Sequence, residues 1–145
     1  YRDTLRRWGM SVSQELLRRF EVADLCYLAT HDGLDSNVVP VGYKWVHEGR
    51  LLLADLFFGK TRENLGNGSR VALCVAEPDP KSGLQFKGRA EVHRDGPWFD
   101  LVEQKLRSAD VPFPLHAAIR IEVSEIYVLD PGADAGKLVA LEGHG

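Results

Sequence analysis

From residue 84 to 92 the chain alternates: Leu84, Phe86, Ala90 and Val92 are apolar, and Gln85, Lys87, Arg89 and Glu91 stand between them. A period of two predicts a β-strand with one buried face and one that is wet or meets a ligand. The pattern returns further on, with Ala117, Ile119, Ile121 and Val123 opposed to Arg120 and Glu122. Shorter runs over 25–30, 37–46, 50–55 and 71–76 predict four more strands, bounded by His31-Asp32-Gly33, His47-Glu48-Gly49 and the proline-rich stretch 78–83, read as an exposed loop.

Helical spacing is rarer. Ser11-Val12-Ser13-Gln14 has the form of a capping box, and Val12, Leu16, Leu17 and Phe20 then predict a helix over 12–22. Asp95-Gly96-Pro97 opens a second helix striped by Trp98, Leu101, Val102 and Leu106, which Asp110 to Pro114 break. Glycines follow from Pro131 on, so 131–145 reads as a loosely held tail in which 138–141 can add a short strand. Six strands without regular β–α alternation predict an all-β fold, an antiparallel barrel flanked or plugged by a few helices.

Length and charge narrow the function. At 145 residues the chain reads as one domain, 1–145, with 1–10 as an N-terminal extension. The net charge of −3 supplies no basic field for nucleic acid, and no apolar run approaches the length that spans a membrane. No apolar segment follows the basic start, so no secretory signal is read there. Cys26 and Cys74 each lie in an apolar run, which suits reduced thiols and a cytoplasmic protein. The five histidines show no metal-ligand spacing, four of them sit at turns, and no metal is expected. The sequence has no Gly-x-Ser-x-Gly elbow and no histidine beside either cysteine, which argues against a nucleophilic hydrolase.

One segment carries recognisable chemistry. Gly59-Lys60-Thr61 opens a short helical turn directly after the strand over 50–55, and Gly66 and Gly68 stop it. Free N–H groups at a helix start, a lysine and a hydroxyl that can both cap the turn and donate can hold a phosphate. An ordinary helix start with a solvated lysine is the plainer reading of Gly-Lys-Thr alone. The order of the surrounding strands decides between the two.

That order resembles the pyridoxamine 5′-phosphate oxidase-like family of split β-barrel FMN-binding proteins. The resemblance rests on Leu28-Ala29-Thr30, Val38-Val39-Pro40-Val41, Gly59-Lys60-Thr61 with Asn64-Leu65, Arg70-Val71-Ala72-Leu73, and Phe86-Lys87-Gly88-Arg89-Ala90-Glu91-Val92, all in collinear order. It is nearest to the family's small FMN-binding proteins. It implies a six-stranded antiparallel Greek-key split barrel working as a homodimer, with FMN at the subunit interface. Lys60 and Thr61 would then bind the phosphate, Val39, Pro40 and Val41 would line the flavin ring through backbone atoms, and Ala54 and Asp55 would lie beside the ribityl chain or ring. Gln85 or Lys87 would reach the cofactor from the fifth strand.

Many relatives carry a hydroxyl residue at the position of Ala54 and an arginine at that of Gly59, so a modest grip on FMN is expected. The implied activity is an FMN-dependent oxidoreductase acting on a small substrate or redox partner, with no side chain standing out as acid or base. Pyridoxamine phosphate oxidation is disfavoured, since nothing after Tyr127 matches that enzyme's substrate-binding segment. A flavin carrier or electron-transfer protein, a haem- or deazaflavin-binding relative, and a barrel without cofactor stay open beside it. Tyr43, Trp45 and Trp98 read as packing or interface residues before flavin contacts.

Overall fold

The computed structural model describes residues 12–141. The elements run α1 (Val12–Val22), β1 (Cys26–His31), β2 (Ser36–Val41), β3 (Lys44–His47), β4 (Arg50–Asp55), α2 (Lys60–Asn64), β5 (Ser69–Pro78), β6 (Lys81–His93), α3 (Gly96–Ser108), β7 (Ala117–Val128) and β8 (Lys137–Leu141). The fold is all-β with few helices, and its sheet is antiparallel and curled in the manner of a split barrel. The proposed capping residue Ser11 lies outside the described residues.

The strands join in the order β2-β1-β5-β6-β7-β4-β3, with β8 added to β7. β2 and β3 therefore occupy opposite margins of one sheet, although only Gly42 and Tyr43 separate them in sequence. Such a sheet has to curl until its margins meet. The expected single strand over 37–46 is corrected here: its first half pairs with β1 and its second half with β4. The inward-facing parity changes at the switch, from Val39 and Val41 to Lys44 and Val46, and Trp45 on the outer face keeps the apolar alternation looking continuous in sequence. The Tyr43 carbonyl accepts the Ala54 N–H at 3.1 Å, fixing the corner.

The stretch expected as an exposed loop near 78–83 is also corrected. β5 and β6 pair without interruption from Ser69↔Ala90 to Pro78↔Lys81, leaving only Asp79 and Pro80 as the turn. The β3–β4 hairpin turn is equally tight. Glu48 and Gly49 both have positive φ (51° and 76°) between paired His47 and Arg50, a geometry that suits the twist of the flanking strands. With the divided second strand and β8, eight strands are present among the described residues where six were expected.

Two cores hold the elements. Inside the barrel, Leu28, Leu51, Leu53, Leu73, Phe86 and Ile119 are buried, and α1 plugs one end with Leu16 and Phe20, whose ring meets Phe86 edge-on. Outside, α3 covers Leu52, Ala54, Leu56 and Ala118 with Val102 and Leu106, and Trp45 and Trp98 pack at the margin. β4 is buried on both faces, which explains why its sequence is an apolar run rather than an alternation. Lys44 is a buried lysine within the barrel core. Its Nζ donates to the Phe20 and Glu21 carbonyls at 2.7 and 3.1 Å, closing the C-terminal end of α1, while burial draws its pKa down.

Candidate functional site

The turn between β4 and α2 brings together four elements. Gly59, with φ 57°, precedes the first helical residue, and no side chain caps the turn. The expected capping by Thr61 does not occur. Instead Thr61 is fully buried, and its Oγ1 accepts from Asn37 Nδ2 on β2 at 2.8 Å. Asn64 Nδ2 donates to Thr30 Oγ1 on β1 at 3.1 Å. Arg62 forms a two-pronged pair with Asp55 at 2.7 and 2.9 Å, and that bonding raises the pKa of its guanidinium. Every polar side chain that anchors α2 thus has a named partner on the sheet.

Lys60 is the member left half-exposed. Its Nζ lies 3.2 Å from Asp32 Oδ2, in the turn between β1 and β2. Asp32 Oδ1 accepts the N–H groups of Leu34 and Asp35, both at 2.8 Å, and these bonds with Lys60 hold its pKa down to about 2. The N–H groups of Gly59 and Lys60 donate to no acceptor among the described residues, since the first amide bonds of the turn begin at Thr61 and Arg62. The corner therefore presents two backbone donors and one ammonium, with a carboxylate that is ionised at neutral pH competing for the ammonium.

β2 borders this corner as an edge strand, so alternate backbone groups lack ladder partners. Val39 and Val41 turn inward, whereas Val38 and Pro40 are exposed, giving an apolar strip. Free amides, an ammonium and an apolar edge fit a ligand with an anionic tail and a flat, partly apolar ring.

The remaining expected site residues lie apart. Ala54 and Asp55 point to opposite faces of β4. Ala54 packs beneath α3, while the Asp55 carboxylate is 1% exposed and engaged by Arg62. Gln85 and Lys87 are on the outer face of β6; Gln85 shares a cross-strand row with Pro40, but β1 and β5 lie between them. Lys87 sits over the Tyr127 ring, 5.4 Å from its centre. Sequence reasoning missed Asp32, which reads only as a turn former, and the Asn37–Thr61 link, whose one signal is a polar residue opening an apolar strand.

Among the described residues no group of three histidine, cysteine, aspartate or glutamate side chains can hold a metal ion, and no helix is long and apolar enough to cross a membrane.

Residues 12–130 match the pyridoxamine 5′-phosphate oxidase family. An uncharacterized protein of Methanocaldococcus jannaschii, MJ0282, is 29% identical over 135 residues, covering 90% of this chain and 89% of that one. Among solved structures, Group A Streptococcus HupZ superposes with a TM-score of 0.71 at 22% identity, over 85% of this chain and 98% of its own. An FMN-binding protein from Syntrophomonas wolfei does so with a TM-score of 0.69 at 16% identity, over 90% of this chain and 97% of its own. At these identities the structural likenesses concern the fold.

Proposed function

The chain belongs to the pyridoxamine 5′-phosphate oxidase family, and on that footing we propose that it is an FMN-binding flavoprotein, active as a homodimer in redox chemistry on a small substrate or redox partner. The observation that carries the reading is the β4–α2 corner, where the unpaired amides of Gly59 and Lys60 and the half-exposed Lys60 ammonium meet the apolar edge of β2. The FMN-binding protein of the same fold supports it.

In this reading Lys60 and the adjoining amides hold the phosphate, and Val39, Pro40 and Val41 line the ring through the free edge of β2. Thr61 acts by pinning the turn to Asn37, and Asp55 by holding Arg62. FMN, when bound, supplies the atom that accepts and returns electrons. The chain's own residues orient it and shield it from water. The exposed apolar residues Tyr27, Leu34, Val38 and Phe57 are the surface that a second copy would cover.

Titration of the purified chain with FMN, followed by flavin fluorescence, tests the assignment. Lys60→Ala should weaken binding by roughly 1.5–3 kcal/mol, the scale of a hydrogen bond to a charged group. Equal affinity in wild type and mutant would remove the phosphate from this corner. Oxidation of NAD(P)H by the loaded protein separates an oxidoreductase from a carrier, which would keep its flavin without turnover.

A further inference from the structure

Arg70 on β5 and Arg89 on β6 are directly paired across the ladder. Like charges in that position destabilise a sheet unless something neutralises them. No carboxylate does so here. Arg89 also faces Glu122 of β7 across the next ladder, yet the two form no ion pair, and Arg89 donates one bond to the Gly68 carbonyl at 2.9 Å instead. Arg70 has no side-chain partner among the described residues.

The nearby carboxylates are already engaged from the far side. Glu122 takes Arg50 at 2.6 Å and Arg120 at 3.3 Å. Glu91 takes Arg120 at 2.5 Å, with His93 Nε2 at 3.2 Å. Four guanidinium groups thus surround two carboxylates, an excess of positive charge on a chain whose net charge is −3. A cavity of about 350 Å³ opens over the pair; Asn67, Arg70, Arg89 and Ser124 line it together with the carboxylates Glu91 and Glu122, whose charges are taken up by Arg120 and Arg50. Asn67 directs its Oδ1 to the Val92 N–H at 2.8 Å, which leaves its NH₂ group as a further donor. Ser124 is the residue without a cross-strand partner where the β6–β7 register shifts, and its hydroxyl is bonded to the Lys87 carbonyl.

Two guanidiniums with no carboxylate partner and the spare Asn67 donor, gathered at one open cavity, have one common complement. We infer that this cavity is a second ligand site, one that takes a phosphate monoester or a similar small dianion through Arg70 and Arg89. A phosphate dianion matches the excess charge, and its several oxygens can accept from both guanidinium forks at once. The site shares no residue with the Lys60 corner and does not depend on flavin binding there.

The test uses the full ¹⁵N-labelled chain titrated with inorganic phosphate at constant ionic strength, with succinate as a second probe. Saturable shifts are expected at the amides of residues 67–70, 89 and 124. Arg70→Gln and Arg89→Gln, both at exposed positions, should each weaken the response roughly tenfold, the size of one charged hydrogen bond. Lys60→Ala should leave these shifts unchanged. Shifts that never saturate, or that persist in both glutamine variants, would overturn the site. Shifts confined to residues 59–61 and abolished by Lys60→Ala would assign phosphate to the other corner alone. Tighter binding of succinate than of phosphate would overturn the choice of ligand class.

Discussion

In the proposed reading, one carboxylate, Asp32, sets how readily the β4–α2 corner accepts an anion. Asp32 is ionised and paired with Lys60, so an incoming phosphate has to displace it. Asp32→Asn keeps the turn, because an asparagine oxygen also accepts the Leu34 and Asp35 amides, yet it removes the competing charge. Affinity for FMN should rise severalfold in this variant, and an unchanged dissociation constant would deny Asp32 that role. The linkage to pH has a defined sign. A pKa lowered to about 2 from 3.8 means that the carboxylate stabilises the fold above about pH 4 and ceases to do so as pH falls toward 2. Any stability advantage of wild type over Asp32→Asn should therefore disappear across that window in acid unfolding curves. The two thiols differ in the same local way. Cys26 is fully buried with its pKa pushed up to about 12, whereas Cys74 lies half-buried on the outer face. Alkylation followed by mass mapping should modify Cys74 in the native protein and Cys26 only after unfolding.

Among the elements, β6 is legible over 84–92, because strict alternation has one structural meaning, while its start at Lys81 falls in the stretch expected as a loop. Its glycine is a different matter. A Cβ on Gly88 would collide with the Glu122 carbonyl, where β6 and β7 cross at the register shift. Gly88→Ala should cost about 3 kcal/mol in chemical denaturation, since the obstacle is backbone and cannot rotate away. Helix α1 and strand β4 are readable to their ends, as continuous apolar runs and helical stripes report burial directly. What the sequence withheld were partnerships. The apolar run over 37–46 carries no mark of a chain that changes partners at Gly42. Ala54 and Asp55 are adjacent letters that end on opposite faces, one under α3 and one against Arg62. Lys60 could be singled out from its glycine and its place after a strand, but the carboxylate beside it comes from a distant turn. Pairwise geometry of that kind has no local pattern in the sequence.

At the scale of the whole molecule, the exposed apolar residues around β1, β2 and the β4–α2 turn leave a surface that suits a second copy. Light scattering at micromolar concentration should give twice the chain mass, and a monomer would count against a site built between subunits. The meeting of β2 and β3 has a further consequence. Because two neighbouring residues sit at the far ends of one ladder sequence, a backbone cut between Gly42 and Tyr43 would free both margins together. A nick at that dipeptide should expose raw strand borders and invite aggregation, whereas a nick in the Glu48–Gly49 turn would leave each border tethered to its neighbour.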